Sequence, residues 1–456
     1  MSAQVGCALL SHDLVRAHRG DRGGRRTQAS RTLARRAGRI RSRPDSGSDF
    51  VAPGPPLIAD PGAVCFYLAA LMKDVYPYPV ARIGLIGGGQ LGRMMVKAAK
   101  RLGCTCAVLD PVQGSPAGQV AGHQIVGDYS DPAMLRELAE SCDVVTFELE
   151  DIQTETLVQL EAEGHRIYPR PALLATIQDK FRQKTFLREA GIPTSDFIDM
   201  PTPDPRAFAA FNYPLVQKAR RGGYDGRGVV VMQDESAFAN HLPVPGFVER
   251  FVEADKELAV LVARNLGGEC AVYPTVEMRF HAGDNVLDFL LAPAGVAPEI
   301  ARRAEDLAVR TVEAMDGVGV FGIEMFLTGD GQLLVNEVAP RTHNSGHHTI
   351  EACVTDQFEQ HLRAILGLPL GTTRQLSPAT MVNLLGEPGY EGRPLIAGLS
   401  AVLAIPGVCV HVYGKAVTKP GRKMGHITVI DESIEAACAK ARQVKTLIKI
   451  LGDKKL

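Results

Sequence analysis

Two acidic residues on neighbouring predicted strands are the first candidates for chemistry. Glu324 lies in a strand-like segment of alternating apolar residues, and Asn336 and Glu337 lie in the segment that follows the Gly329–Gly331 turn. A glycine-rich turn between two such segments predicts a β-hairpin with both carboxylates on one face. Buried carboxylates need a cation partner, and two carboxylates with an amide oxygen suit Mg²⁺, which bridges phosphates. The alternative is a pair of edge-strand glutamates that face water.

The segment directly after this hairpin is rich in cations and neutral hydrogen-bond donors. It runs from Pro340 to His348 and includes Arg341, His343 and Asn344. Such groups beside a metal site favour the binding of an anionic substrate. Zinc ligation by the histidines is the alternative, but the sequence lacks partner ligands at a suitable spacing.

A glycine-rich loop between two strand-like segments predicts a nucleotide-binding lid. The loop, Gly222–Gly228, follows a segment that ends in Lys218 and precedes one that begins at Val229. It is not a Walker loop because no helix follows it, and its backbone N–H groups can face phosphates. A plain hairpin turn is the alternative, although such a turn needs fewer glycines.

A further predicted strand follows the lid loop. This strand, Phe247–Val252, offers a backbone edge to which adenine can hydrogen-bond. Glu257, a few residues later, is a candidate partner for a ribose hydroxyl, and its alternative is an ordinary surface carboxylate.

A second glycine-rich segment lies near the start of the regular pattern. The predicted strand 81–86 leads into Gly87–Gly92, a predicted helix follows, and Asp110 ends the next predicted strand. This order is the fingerprint of a dinucleotide-binding fold, although a helix N-terminus binds any phosphorylated ligand. A nicotinamide dehydrogenase is therefore one hypothesis. Glu148, after a later predicted strand, is either a site carboxylate or a solvated loop charge.

Length and composition limit the class of protein. A chain of 456 residues exceeds one hydrophobic core and predicts roughly two to four domains. The net charge of -1 gives no electrostatic case for binding nucleic acid or membranes, and no apolar run reaches the roughly 18 residues of a membrane-spanning helix. The scattered cysteines favour reduced thiols and a cytoplasmic protein.

The first 80 residues differ in composition from the rest of the chain. Arginine, serine, glycine and alanine dominate their first part, and a proline- and glycine-rich stretch follows. Such a segment buries little apolar surface and is predicted to be disordered. Three interpretations stay open: an upstream translation with Met72 as the real start, a flexible basic tail, and an organelle transit peptide, which the aspartates disfavour.

Together these motifs resemble the ATP-grasp superfamily and, within it, the 5-(carboxyamino)imidazole ribonucleotide synthase family of purine biosynthesis. The resemblance extends over about residues 82–427. Besides the two glycine-rich loops and Asn336–His347, it rests on Tyr413-Gly414-Lys415 and Arg422-Lys423-Met424-Gly425-His426, which separate this family from other ATP-grasp ligases. The sequence departs from the family pattern before His281, where it has one residue more.

The resemblance implies an α/β architecture, in which an ATP-grasp fold follows an N-terminal Rossmann-like (pre-ATP-grasp) domain and precedes a small C-terminal β-rich domain. The expected boundaries are 1–80 for the disordered extension, 81–179 for the Rossmann-like domain, 180–372 for the ATP-grasp domain with its lid at about 196–252, and 373–456 for the C-terminal domain.

The resemblance also implies the ligands and their residues. The cofactor ATP is expected to contact Lys180, Lys218, Gly223, Tyr224, Asp225, Gly226, Arg227, Gly228, Val229, Glu249, Arg250, Phe251, Val252, Glu257, His281, Asn336 and Glu337. Mg²⁺ is expected at Glu324 and Glu337. The expected catalytic residues are Lys218, Arg341, His343 and Asn344. The ribonucleotide is expected to contact Gly89, Gln90, Glu148, Tyr224, Asp225, Arg227, Lys415 and Arg422.

The implied reaction is the ATP-dependent carboxylation of 5-aminoimidazole ribonucleotide with bicarbonate, through carboxyphosphate, by a cytoplasmic homodimer. Three rival hypotheses remain: a nicotinamide dehydrogenase, another ATP-grasp ligase such as a formate-dependent ribonucleotide transformylase or a biotin carboxylase, and a non-catalytic homologue. The dehydrogenase leaves the lid loop and the acidic pair unexplained, and the non-catalytic homologue is disfavoured because nearly every motif position is filled.

Overall fold

The computed structural model describes residues 76–222, 228–280 and 287–456. These ranges belong to one structural unit, residues 75–456. The predicted disorder of the N-terminal extension lies outside the described residues up to residue 75. The expected ligand contacts of lid residues 223–227 and of His281 also lie outside them.

The strands are numbered in chain order. They are β1 Arg82–Ile86, β2 Thr105–Asp110, β3 His123–Val126, β4 Val144–Phe147, β5 Phe197–Met200, β6 Leu215–Ala219, β7 Val229–Met232, β8 Gly246–Arg250, β9 Ala254–Arg264, β10 Cys270–Val272, β11 Val276–Phe280, β12 Leu287–Ala292, β13 Gly319–Thr328, β14 Leu333–Ala339, β15 Ala379–Leu385, β16 Tyr390–Ala397, β17 Val408–Val412, β18 Lys423–Ile430 and β19 Lys449–Lys455.

The α-helices are numbered in the same way. They are α1 Gln90–Arg101, α2 Pro132–Ser141, α3 Thr154–Ala162, α4 Pro171–Ile177, α5 Lys180–Glu189, α6 Pro205–Phe211, α7 Pro298–Ala314, α8 Thr349–Ala352, α9 Gln357–Leu366, α10 Leu399–Leu403 and α11 Ile434–Leu447. Short 3₁₀ helices cover Glu235–Asn240 and Asn344–Gly346. No helix among the described residues is long and apolar enough to cross a membrane.

The N-terminal sheet is parallel, with strand order β3-β2-β1-β4. The side chains of Ile83, Leu85 and Ile86 are all buried, because a parallel sheet is covered on both faces and its strands are apolar throughout. Helix α1 begins at Gln90, inside the segment Gly87–Gly92 that was predicted to precede it.

A smaller antiparallel sheet, with strand order β5-β8-β6-β7, carries the lid. Its own core contains Phe208, Leu215, Met232 and Val248. Strand β8 ends at Arg250, so the two residues after it, which were predicted as strand, lie beyond the sheet.

The largest sheet has strand order β14-β13-β9-β11-β12-β15-β18-β17, and β10 pairs with β9. Helix α7 covers one face, where Leu307 and Val312 pack with Val262 and Phe321 in one core. The C-terminal segment is β-rich, as predicted, but three of its strands continue this sheet through the pairing of β12 with β15. Strands β16 and β19 form a separate two-stranded sheet.

Helix α9 connects the parallel sheet to the largest sheet. Phe358 and Leu362 pack in the core that also contains Met95 of α1. His361 is fully buried, and its Nδ1 accepts a hydrogen bond of 3.0 Å from the Val320 backbone N–H. Its Nε2 lies 2.8 Å from the Thr146 hydroxyl. The neutral ring therefore joins β13 to β4.

Candidate active site

The acidic hairpin forms as predicted. Strands β13 and β14 pair antiparallel, and Glu324 lies directly opposite Glu337. Directly opposite residues on paired strands point to the same face, so the expected placement of both carboxylates on one face is confirmed. A register shift follows Glu324, and both carboxylates are half-buried.

The two carboxylates have opposite electrostatic environments. Lys180 Nζ lies 2.8 Å from Glu337 Oε2. Burial alone would raise the pKa of Glu337, but the ammonium groups of Lys180 and Lys218 outweigh it and hold the pKa well below its usual range. Burial raises the pKa of Glu324, and repulsion from Glu337 and Glu257 raises it further.

This carboxylate pair has the donor chemistry for Mg²⁺. A divalent cation would relieve the repulsion that raises the Glu324 pKa. Mg²⁺ uses one or two protein carboxylates together with water and substrate phosphates. Among residues 76–222, 228–280 and 287–456, no group of three or more His, Cys, Asp or Glu side chains could hold a metal ion by itself. Glu324 and Glu337 could hold Mg²⁺ only together with the nucleotide's phosphates.

A buried network of charges lies beside this pair. Glu249 accepts contacts from Lys184 Nζ at 2.9 Å and from Lys218, which contacts its other oxygen. Burial opposes the charged form of Glu249, but the two lysines lower its pKa to about 2. Lys218 Nζ also donates to Asn336 Oδ1 at 2.9 Å. The network therefore links β6 and β8 of the lid sheet to β14.

Sequence reasoning missed Lys184. It follows Lys180 by four residues on α5, and residues at this spacing share a helix face. A cap defines the start of α5, since the Asp179 carboxylate accepts hydrogen bonds from the backbone N–H groups of Phe181 and Arg182. The four-residue spacing of the lysines was the available signal.

Glu257 lies within electrostatic reach of Lys218. Burial raises its pKa to about 7, and Lys218 opposes that shift. A half-buried carboxylate in this position is suited to accept a hydrogen bond from a ligand hydroxyl.

The expected catalytic residues after the hairpin have different partners. Arg341 Nη2 forms an ion pair of 2.7 Å with Glu150. His343 Nε2 lies 3.4 Å from Glu324 Oε1, so the histidine reaches the carboxylate pair. Asn344 begins the 3₁₀ helix that follows.

The N-terminal glycine loop is bound by carboxylates of its own chain. Glu148 accepts hydrogen bonds from the N–H groups of Gly89 at 2.5 Å and Gly92 at 2.8 Å. Asp110 accepts one from Gly88 at 2.7 Å. The fingerprint interpretation assigns these N–H groups to a phosphate and the acid to a ribose. In the structure these N–H groups are paired with carboxylates of the chain, and the bond from Gly92 to Glu148 satisfies one N–H group of the first turn of α1.

Lys415 lies near the same carboxylate. Burial raises the pKa of Glu148, and the charges of Arg341 and Lys415 oppose that shift. The Gln119 side-chain amide donates to the Gly414 carbonyl at 2.8 Å and holds the turn before Lys415. Arg422, in contrast, donates to the Val417 carbonyl at 2.8 Å within its own loop.

The fold and this site define an ATP-grasp protein. Residues 185–358 match the family described as "ATP-grasp domain". Residues 80–178 match the "Ribonucleotide synthetase preATP-grasp domain", and residues 379–440 match the "Phosphoribosylaminoimidazole carboxylase C-terminal domain".

Within that class, the chain belongs to the N5-carboxyaminoimidazole ribonucleotide synthase family. It is 41% identical to the synthase of Synechococcus elongatus over 83% of this chain and 96% of the relative. The synthetase structure from Thermotoga maritima is 49% identical, with a TM-score of 0.77 over 82% of this chain and 100% of that chain. The Aspergillus clavatus synthase, solved with ADP and 5-aminoimidazole ribonucleotide, is 35% identical, with a TM-score of 0.74 over 80% of this chain and 98% of that chain.

Proposed function

We propose that this chain is an ATP-dependent carbon–nitrogen ligase of purine biosynthesis. It carboxylates 5-aminoimidazole ribonucleotide with bicarbonate and forms 5-(carboxyamino)imidazole ribonucleotide, ADP and phosphate. The observation that carries the proposal is the register pairing of Glu324 with Glu337, beside Lys180 and within reach of His343. The ADP and 5-aminoimidazole ribonucleotide bound by the related Aspergillus clavatus synthase support the same substrates.

The nucleotide side of the site binds ATP and Mg²⁺ in this proposal. Glu324 and Glu337 would hold Mg²⁺, which would offset phosphate charge when bound. Lys180 contacts Glu337, and Lys218 donates to Asn336. Both lysines can therefore stabilise the charge that develops on the transferred phosphoryl group.

The reaction has two bond-forming steps. A bicarbonate oxygen attacks the γ-phosphorus of ATP, the bond from that phosphorus to the β–γ bridging oxygen breaks, and ADP leaves. The resulting carboxyphosphate releases phosphate and CO₂. The substrate amine then bonds to the CO₂ carbon and loses a proton. The protein contributes by positioning the reactants and neutralising their charge.

The acceptor side binds the ribonucleotide. Arg341, His343 and Asn344 meet bicarbonate and the amine, because they follow the acidic hairpin directly. The charges of Lys415 and Arg341 both act on Glu148, which supports a contact with the phosphate or ribose of the ribonucleotide there. Arg422 and the Gly89-Gln90 loop are assigned to the ribonucleotide on the family resemblance.

Three finer assignments rest on the family resemblance and composition. The homodimer, the cytoplasmic location and the domain boundaries given above stay predictions. The chain contains no disulfide among the cysteines of the described residues, which are all free thiols.

The test is substrate-dependent ADP formation. Purified protein with Mg²⁺ and ATP should release ADP only when both bicarbonate and 5-aminoimidazole ribonucleotide are present. ADP release that requires formate and a different ribonucleotide would instead identify a transformylase. Release that ignores the ribonucleotide would reject the proposal.

A further inference from the structure

A row of polar side chains crosses three neighbouring strands of the C-terminal segment. Asn383 on β15 lies directly opposite His426 on β18, and His426 lies directly opposite His411 on β17. Because directly opposite residues share a face, these three side chains form one transverse polar row. The rings of His426 and His411 confirm it, since they stack with centroids 4.3 Å apart and planes 7° apart.

The first member of the polar row pairs with an expected catalytic residue. Asn344 Nδ2 donates to Asn383 Oδ1 at 3.1 Å, and Asn383 Nδ2 donates to Asn344 Oδ1 at 3.1 Å. Rotating either amide by half a turn would bring like groups together, so the pair determines the orientation of both amides. Each amide keeps one N–H and one lone pair for another partner.

The other two members of the polar row, His426 and His411, contact residues that follow Asn344 in the chain. The ring centroid of His426 lies 4.6 Å from that of His347. His411 Nε2 lies 2.6 Å from Glu351 Oε1. His426 is fully buried, and its Nδ1 lies 3.0 Å from the hydroxyl of Tyr413, two residues before Lys415.

The three contacted residues share one face of a short helical segment. Asn344, His347 and Glu351 are spaced by three and four residues, and side chains at this spacing lie one above the other on a helix. Backbone hydrogen bonds of 3.2 Å, from His347 N–H to the Asn344 carbonyl and from Ile350 N–H to the His347 carbonyl, continue the helical turns between them. The polar row thus packs against one face of this helical segment.

We propose that Asn383 is a positioning residue for the ligase reaction. It orients the free N–H and lone pair of Asn344 toward the acceptor substrates, and His426 and His411 hold β15 in register with the helical face. The inference rests on the proposed function, because Asn344 is assigned to the acceptor side there. The His426–Tyr413 contact joins the same row to the turn that carries Lys415.

The first measurement is steady-state turnover of Asn383→Ala. We expect a roughly tenfold fall in carboxylated product per enzyme, because a misplaced reacting group slows the step that it serves. The KM for ATP should stay unchanged, since the nucleotide side is intact. ADP should form in excess over carboxylated product, because carboxyphosphate made without an oriented acceptor is lost to water.

The matched control is Gln375→Ala. Gln375 is also a half-buried amide of the C-terminal segment, and it donates to the carbonyls of Ala292 and Ser377 at 2.8 and 2.9 Å, away from the polar row. Its loss should leave the ratio of ADP to carboxylated product at the wild-type value. If Asn383→Ala fails to fold, Asn383→Ser, which keeps a donor and an acceptor on a shorter side chain, takes its place.

A double-mutant cycle separates positioning from a merely structural role. In an Asn344→Ala background, Asn383→Ala should cause no further loss of turnover, because its effect acts through Asn344. Additive losses, or a wild-type ADP-to-product ratio in Asn383→Ala, would overturn the positioning role alone. A wild-type protein without ribonucleotide- and bicarbonate-dependent turnover would overturn the proposed function and, with it, this role.

Discussion

The nucleotide side and the acceptor side of this site are built from different kinds of polar contact. On the nucleotide side, Lys180 pairs with Glu337, and Lys184 and Lys218 both contact Glu249. On the proposed acceptor side, Arg341 pairs with Glu150, but Asn344 is held by a neutral group, in the reciprocal amide pair with Asn383. The first side neutralises charge, and the second determines direction.

This difference follows from what each side must do. Phosphates carry several negative charges, so a network of ammonium groups held in place by carboxylates can offset the charge that develops on them. An acceptor amine is neutral and must meet a carbon atom from one direction. Hydrogen bonds weaken steeply with angle, so the reciprocal amide pair holds one orientation. Substitutions and pH should therefore affect the two sides differently.

The largest effect should come from Glu337→Gln on the nucleotide side. Removing this charge takes away the partner of Lys180 and one of the two proposed Mg²⁺ ligands, so ADP release should fall by roughly 10²-fold or more. Asp330→Asn, an exposed carboxylate at the turn of the same hairpin, is the control and should retain activity. Near-normal ADP release by Glu337→Gln would contradict the metal assignment.

Lys184→Met should lower the free energy of unfolding rather than change the substrate specificity. The lysine is almost completely buried against Glu249, and breaking a buried ion pair costs roughly 3 kcal/mol. The free energy of unfolding in urea measures the loss. Arg302→Met removes an exposed pair with Glu299 and should cause little change. A Lys184→Met protein as stable as wild type would show that Lys218 alone satisfies Glu249.

As pH falls, the stability contributed by the neutral histidines should be lost at a higher pH than the stability contributed by Glu249 and its lysine partners. Burial lowers the pKa of His348 and of His361 to about 4. The unfolded chain, with histidine pKa values near 6.5, binds protons first, so the histidine contribution to stability falls as pH drops below about 6.5 and continues to fall toward 4. At pH 5 each histidine should cost ~2 kcal/mol.

The measurement is the free energy of unfolding between pH 7 and pH 5. Glu249, with its lowered pKa of about 2, stabilises the fold above the unfolded pKa of about 4.3, and that contribution is lost only as pH falls further toward 2. Glu257 and Glu324, whose pKa values burial raises, take up protons in the folded state within this window and add stability as pH falls, so the histidine contribution is the difference between wild type and a histidine variant. His361→Asn should lose less stability than wild type between pH 7 and pH 5, and an equal pH dependence in the two proteins would show that this ring does not stay neutral through burial.

The smallest effect should come from Lys415→Ala on the acceptor side. Losing one charge-assisted contact to the ribonucleotide should raise its KM about tenfold, because the remaining contacts still bind it. The KM for ATP should not change. An unchanged KM for the ribonucleotide would remove Lys415 from the proposed acceptor site and leave the turn a structural role only.

Local pattern in the sequence predicted the elements that carry the nucleotide side. Alternating apolar residues around Glu324, a glycine turn and a second alternating run predict the hairpin that the structure contains. The residue type at the start of α5 likewise agrees with its structure, because Asp is a preferred helix N-cap and the Asp179 carboxylate caps this helix. These predictions succeed because hairpins and helix caps depend on residues that are close in the chain.

Long-range contacts decided the remainder, and the sequence carries little trace of them. The pairing of Asn344 with Asn383 joins residues 39 positions apart. The capture of the Gly89 N–H group by Glu148 joins residues 59 positions apart. Neither pairing follows a periodic pattern in the sequence, so neither can be predicted before the arrangement of the sheets is known.

The sequence by itself determined the class of chemistry, because the residue types that bind phosphates and Mg²⁺ lie in short motifs whose spacing a single hairpin or helix defines. Only the tertiary structure decided which groups are already paired and which face a ligand. That depends on strand order: β15 joins β12, and this pairing brings Asn383, His426 and His411 against the helical face after the hairpin.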